Sequence, residues 1–156
     1  MKLIKPSYEI LEQGSDLEGI YEMIELAGRT CYKSQRPEGK TAKDFVDLMI
    51  KNKHHAMLEH GTVYLAIPHN PFSSISDSTF RYRGNPYSKV VNDTPSLPDT
   101  VYVTTNLRVL LENDWLDDLQ YLCEPTEYHE KRVTVRFTTS NGIMREFTRH
   151  KDFCVA

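Results

Sequence analysis

Apolar positions along this chain alternate between helical spacing and period two, and the changes of period divide it into elements. Leu17, Ile20, Tyr21, Ile24 and Ala27 recur at three-to-four-residue spacing, which predicts an amphipathic helix from Asp16 to about Gly28. Ser15-Asp16-Leu17-Glu18 reads as its capping box, with Ser15 as N-cap and Glu18 reaching back. Gly28 is the expected stop, and Arg29-Thr30-Cys31-Tyr32 a mixed stretch leaving the helix. Cys31 is expected to be a small buried residue. Ahead of this helix, residues 2–10 suggest a short strand broken at Pro6. After the loop 35–40, Thr41 is placed to cap a second helix, with Phe45, Leu48 and Met49 on one face and Lys51 and Lys53 near its C-terminal end.

The pattern then turns to strands. Residues 62–67 are β-branched and aromatic and read as a strand stopped by Pro68. From 68 to 98 the chain carries five prolines and many Ser, Asn and Asp, the least regular region, where Ser88 to Val91 suggests an edge strand. Thr100 to Thr105 predicts another strand. Asn106 then caps a helix through Leu107, Val109, Leu110 and Leu111, and Trp115, Leu116, Leu119 and Leu122 continue its stripe to Cys123. Lys131 to Thr138 alternates, putting Val133, Val135 and Phe137 on one face and Arg132 and Arg136 on the other. At Ser140-Asn141-Gly142 a hairpin signal competes with a helix start. Ile143, Met144 and Phe147 share one helical face, which favours the helix. On that helix Arg145 and Arg149 lie four apart, with Glu146 and His150 beside them. Together these elements predict one α+β domain, a mainly antiparallel sheet with helices packed on it.

Composition changes this picture little. The chain has 156 residues, 39% of them apolar and 26% charged. A chain of this size buries about 70% of its unfolded surface, enough for one core without disulfides. Its three cysteines, Cys31, Cys123 and Cys154, are odd in number and far apart, which fits a reducing cytoplasm rather than a disulfide framework. The first residues carry no apolar signal region and no stretch approaches a membrane span, so no membrane partner is expected. A net charge of −3 provides no field to recruit nucleic acid. Phe80-Arg81-Tyr82-Arg83 interleaves aromatic and basic residues as single-strand binders do, but one such run in an acidic protein reads as a solvated hairpin, and no nucleic-acid partner is expected.

Candidate chemistry is concentrated in two places. His54-His55-Ala56-Met57-Leu58-Glu59-His60 packs three of the six histidines and a carboxylate into the junction between the second helix and the first long strand. An inverted zinc motif needs His-x-x-Glu-His, whereas here three residues separate His55 from Glu59, so no metal is expected. The second place is Arg145-Glu146-Phe147-Thr148-Arg149-His150-Lys151, a cationic strip suited to phosphate.

With both stretches in view, the chain resembles the flavin-dependent thymidylate synthases, or thymidylate synthase complementing proteins. Gly28-Arg29-Thr30-Cys31-Tyr32 is similar to the family's Ala-Arg-x-[Ser/Cys]-[Phe/Tyr] segment. The histidine junction resembles His-x-[Ser/Thr]-x-x-Glu-His, and Arg149-His150-Lys151 stands at the place of Arg-His-Arg-x7-Ser. Residues 68–128 look like an insertion relative to shorter members. The departures are Lys151 for Arg, Ala56 for a hydroxyl residue and Glu146 for Gln. Only five residues follow Lys151, so the signature serine, the following Arg-Tyr and the C-terminal helices are missing, as expected of a truncated member.

The resemblance implies a thymidylate synthase complementing protein-like fold and FAD-dependent methylation of dUMP to dTMP. Methylenetetrahydrofolate would supply the carbon and NADPH the electrons, which pass through FAD. It further implies that His54, Ala56 and Glu59 contact FAD, that Arg149, His150 and Lys151 hold it, and that Glu146 and Arg149 meet dUMP. It gives no side chain a nucleophilic role, and it implies a homotetramer with sites between subunits. The alternative is a non-catalytic flavin- or nucleotide-binding oligomeric domain of the same fold.

Overall fold

The computed structural model describes residues 5–68, 80–91 and 100–147. In chain order the elements are β1 (Ser7–Leu11), α1 (Leu17–Tyr32), α2 (Ala42–Lys51), a 3-10 turn (His55–His60), β2 (Thr62–Pro68), α3 (Phe80–Arg83), β3 (Lys89–Val91), β4 (Thr100–Asn106), α4 (Leu107–Glu112), a second 3-10 turn (Leu116–Tyr121), β5 (Thr134–Thr138) and α5 (Asn141–Phe147). Helices and antiparallel strands make an α+β fold. Among the described residues, no helix is long and apolar enough to cross a membrane.

The strands form two sheets. One runs β2-β4-β3, antiparallel throughout, with Leu65 opposite Val103 and Val90 also opposite Val103 on β4's other side. β4 is central and almost wholly buried. β3 is the short edge strand expected at Ser88 to Val91. The outer edge of β2 is covered rather than open. The Gln13 side chain brackets Thr62, donating to its carbonyl at 2.7 Å and accepting from its N–H at 2.9 Å. Farther along, the N–H of Cys123 donates to the Tyr64 carbonyl at 3.0 Å. These bonds occupy groups that would otherwise invite another strand.

The second sheet pairs β1 with β5, with Tyr8 opposite Phe137 and Ile10 opposite Val135. Directly opposed residues share a face, so Tyr8, Ile10, Val135 and Phe137 make one apolar side. Glu9 and Arg136 face each other on the other side, 2.5 Å apart. Arg132, expected beside Arg136, lies before the strand begins and donates instead to the carbonyls of Thr105 and Tyr87.

The core lies between the three-stranded sheet and α1, α2 and the histidine turn. Ile20, Ile24, Val46, Leu58, Val63, Leu65, Val103 and Leu110 are its most enclosed members. Thr41 caps α2 in a full capping box with Asp44. The buried face of α2 is Phe45, Val46 and Met49, with Leu48 turned outward. α1 departs from expectation at both ends. Asp16, not Ser15, is its N-cap, accepting from the Gly19 N–H at 2.7 Å. The Ser15 hydroxyl is drawn away to Glu124, also at 2.7 Å. Gly28 does not stop the helix, which runs on to Tyr32. Its role is packing: a Cβ there would lie 2.5 Å from Cζ of the Phe45 ring. Cys31 consequently sits exposed in the last turn of α1.

The stripe expected from Leu107 to Leu122 is broken. α4 ends at Glu112, Asp114 takes the left-handed conformation, and a 3-10 turn follows. At Ser140 the helix reading holds: α5 starts at Asn141, and the Met144 N–H donates to the Ser140 carbonyl at 3.1 Å.

Candidate functional site

The histidine junction is built by the way α2 ends. Lys53 adopts the left-handed conformation at φ 58°. Its N–H donates to the Ile50 carbonyl at 3.0 Å, and the His54 N–H donates to the Met49 carbonyl at 2.9 Å. This is a Schellman ending without glycine. It reverses the chain and starts the 3-10 turn at a fixed angle. Within that turn Leu58 points into the core, His54 and Ala56 are exposed, and Glu59 is half-buried. Residues three apart eclipse in a 3-10 helix, so Ala56 and Glu59 share one side. Gly61 lets the turn lie against α1, since a Cβ there would meet Cδ1 of Ile24 at 2.6 Å.

Two segments distant in sequence meet at His54. Its Nδ1 lies 3.1 Å from the Tyr32 hydroxyl, and the two rings are 6.1 Å apart. Tyr32 reaches this position only because α1 continues past Gly28. The other side of the turn is tied to α4. Arg108 donates from Nη1 to Glu59 Oε1 and from Nε to Glu112 Oε1 at 2.9 Å. His55 Nδ1 donates to the same Glu112 oxygen at 3.1 Å. Burial acts to raise the Glu112 carboxyl, but the bonds from Arg108 and His55 outweigh it and hold its pKa below the ordinary value. Burial lowers the pKa of His60, which favours a neutral imidazole there.

A pocket of about 110 Å³ opens beside Glu59, Tyr87, Arg108 and Glu112. That is below the ~300 Å³ at which ligand pockets usually begin, so among the described residues this is a shallow recess and not an enclosure. Glu146 lies exposed on α5, which among the described residues makes no substantial contact with the histidine turn. Arg149, His150 and Lys151 lie outside the described residues. Among the described residues, His54, Ala56 and Glu59 thus lie together at one turn, while Glu146 is carried on a separate element, α5.

Three further clusters were not legible in the sequence. Glu25, buried on α1, accepts from Arg29 Nε at 2.6 Å and from Arg36 Nε at 2.8 Å. Burial pushes its carboxyl up, and the two guanidiniums more than reverse this, leaving the pKa lowered. An open depression of about 460 Å³ lies around Glu22, Arg29, Ser34 and Arg36. Asp118 binds both Arg81 and the Tyr82 hydroxyl, the latter at 2.5 Å. Burial first, and Asp118 second, push the Tyr82 hydroxyl far above its usual pKa. Tyr82 is fully enclosed and Arg81 lies over the Trp115 ring, so the 80–83 run is a short helix packed into the fold rather than a hairpin.

The third cluster is His129 with Cys123. His129 Nδ1 accepts from the Thr126 N–H at 3.0 Å, and Nε2 donates to the Leu65 carbonyl at 3.2 Å. These partners fix one neutral tautomer. Burial lowers the His129 pKa and raises that of Cys123, so the pair is not an activated nucleophile and its base. Among the described residues, no group of three His, Cys, Asp or Glu is placed to hold a metal ion.

Comparison with known proteins adds no neighbour: no family model, curated protein or solved structure matches the chain.

Proposed function

We propose that the chain is a flavin-dependent thymidylate synthase that methylates dUMP to dTMP with methylenetetrahydrofolate, NADPH and FAD. The observation that carries this reading is the contact between Tyr32 and His54. It joins the two N-terminal segments on which the resemblance rests, 22 residues apart, at one exposed edge.

The residues present suit FAD in kind. His54 and Ala56 are open to solvent, and Glu59 is held by a guanidinium at the mouth of a polar pocket. His54, Ala56 and Glu59 would form one wall of the site. Arg149, His150 and Lys151 would hold the cofactor by charge and hydrogen bonds, and Glu146 and Arg149 would meet dUMP. When bound, FAD supplies the redox chemistry between NADPH and the transferred carbon. The protein's own part is to bind, orient and exclude water.

An open wall fits a site completed by another subunit, as the homotetramer of the resemblance implies. The apolar side of the β1–β5 ribbon agrees with that assembly. Tyr8 is 71% exposed and Ile10 61%, and a two-stranded ribbon is marginal in water without something packed on it. The test is direct. Purified protein is expected to be yellow, with a flavin spectrum, and to oxidise NADPH when dUMP and methylenetetrahydrofolate are added. A colourless protein that takes up no added FAD would overturn the reading. A flavin-bound protein without dUMP-dependent turnover would leave the non-catalytic binding domain in its place.

A further inference from the structure

The wall of the proposed site is braced by a residue from outside both motifs. Arg108 lies on α4, inside residues 68–128, a stretch the resemblance does not cover. Through Nη1 it reaches Glu59, 49 positions away, and through Nε it reaches Glu112, which in turn accepts from His55. One guanidinium thus governs both ends of the histidine turn. A half-buried glutamate without such a partner samples several rotamers. Here a planar fork fixes it.

The bracing is not needed to dock α4. That helix is already capped by Asn106, whose side chain accepts from the Val109 N–H at 3.0 Å. Its first N–H, from Leu107, donates to the Gly61 carbonyl at 3.0 Å, and Leu107, Val109 and Leu110 are buried. Partly exposed ion pairs such as this one contribute little to stability. Their consequence is geometric: the direction in which Glu59 points.

We propose that Arg108 is a positioning residue for the flavin site, holding the Glu59 carboxylate in the orientation that meets the cofactor. This rests on the flavin reading above. In this chain the segment 68–128 would then serve the site rather than merely lengthen the sheet.

The experiment is a titration of the full chain with FAD, followed by quenching of flavin fluorescence, on wild type, Arg108→Met, Arg108→Lys, Glu59→Gln and the Glu59→Gln/Arg108→Met double variant. Arg108→Met is expected to weaken FAD binding about tenfold, the scale of one misplaced charge-assisted hydrogen bond. Arg108→Lys, which reaches one carboxylate but not both, is expected to recover part of that loss. In the Glu59→Gln background, Arg108→Met is expected to add little, because its route to the cofactor is already cut. Melting temperatures serve as the folding control and are expected to stay within a few degrees. Unchanged affinity in Arg108→Met, or fully additive losses in the double variant, would overturn the positioning role and leave the flavin reading standing. Failure of wild type to bind FAD would overturn the reading, and the role with it.

Discussion

The N–H of His54 donates to the carbonyl of Met49 at 2.9 Å, and this bond sets where the histidine turn begins. It requires the intervening Lys53 at φ 58°, a conformation that costs an L-residue about 1–2 kcal/mol. Lys53→Val adds β-branching to that strain and is expected to destabilise the protein by about 1–2 kcal/mol. Lys53→Gly is expected to fall within about 1 kcal/mol of wild type, relief of strain being offset by a freer unfolded chain. Urea unfolding of both variants reads the difference, and equal midpoints for Val and Gly would contradict it.

Gly61 is predicted to be intolerant of alanine for a different reason. The new Cβ would lie 2.6 Å from Cδ1 of Ile24 and 2.8 Å from Cγ2 of Ile20, and both isoleucines are fully enclosed. Overpacking of this kind costs about 1–3 kcal/mol. Ile24→Val removes the nearer atom, so the double variant is expected to recover part of the loss. Additive destabilisation in a double-mutant cycle would show that the contact is not the cause.

Glu25 gives the fold an acid-sensitive support. Its folded pKa lies below the unfolded value, so its stabilisation is present above about pH 4.3 and is lost as pH falls from there through the lowered folded pKa. Glu25→Gln leaves Arg29 and Arg36 without their shared carboxylate and is expected to cost about 2–3 kcal/mol at neutral pH. The cost is expected to shrink below pH 4. Urea midpoints for both proteins between pH 7 and pH 3 measure it.

His129 acts in a higher pH window. Burial lowers its folded pKa, so below about pH 6.5 the unfolded chain takes up a proton that the folded protein refuses. Stability is therefore expected to decline as pH falls from about 6.5 toward the lowered pKa. Burial of His60 pushes in the same direction. His129→Gln is expected to be less stable at pH 7.5 and to show a shallower decline to pH 5.5. Nitrogen chemical shifts of the imidazole should report a neutral ring protonated at Nε2, and a charged ring at pH 7 would contradict the geometry.

What the sequence determined by itself is what neighbouring residues decide among themselves. Thr41 and Asp44 close a capping box four residues long, and Asn106, immediately before α4, caps it through the Val109 N–H. The β-branched and aromatic runs at 62–67 and 100–105 made β2 and β4 legible, because such runs suit a strand buried on both faces. The clustering of His54, Ala56 and Glu59 on one surface turn was likewise legible, since residues two to five apart cannot be far from one another.

Tertiary structure decided whatever depended on a distant partner. Ser15 and Asp16 are both good caps, and the choice fell to Glu124, 109 positions away, which takes the Ser15 hydroxyl. Gly28 reads as a stop until the Phe45 ring is placed over it. Lys33, Lys53 and Asp114 end their helices in the left-handed conformation that a sequence advertises only when it uses glycine. The meetings of Tyr32 with His54 and of Arg108 with Glu59 follow from how α1 and α4 pack against the turn. Periodicity and capping carry only local energies, and no local rule contains the contacts made when separate elements bury their faces together.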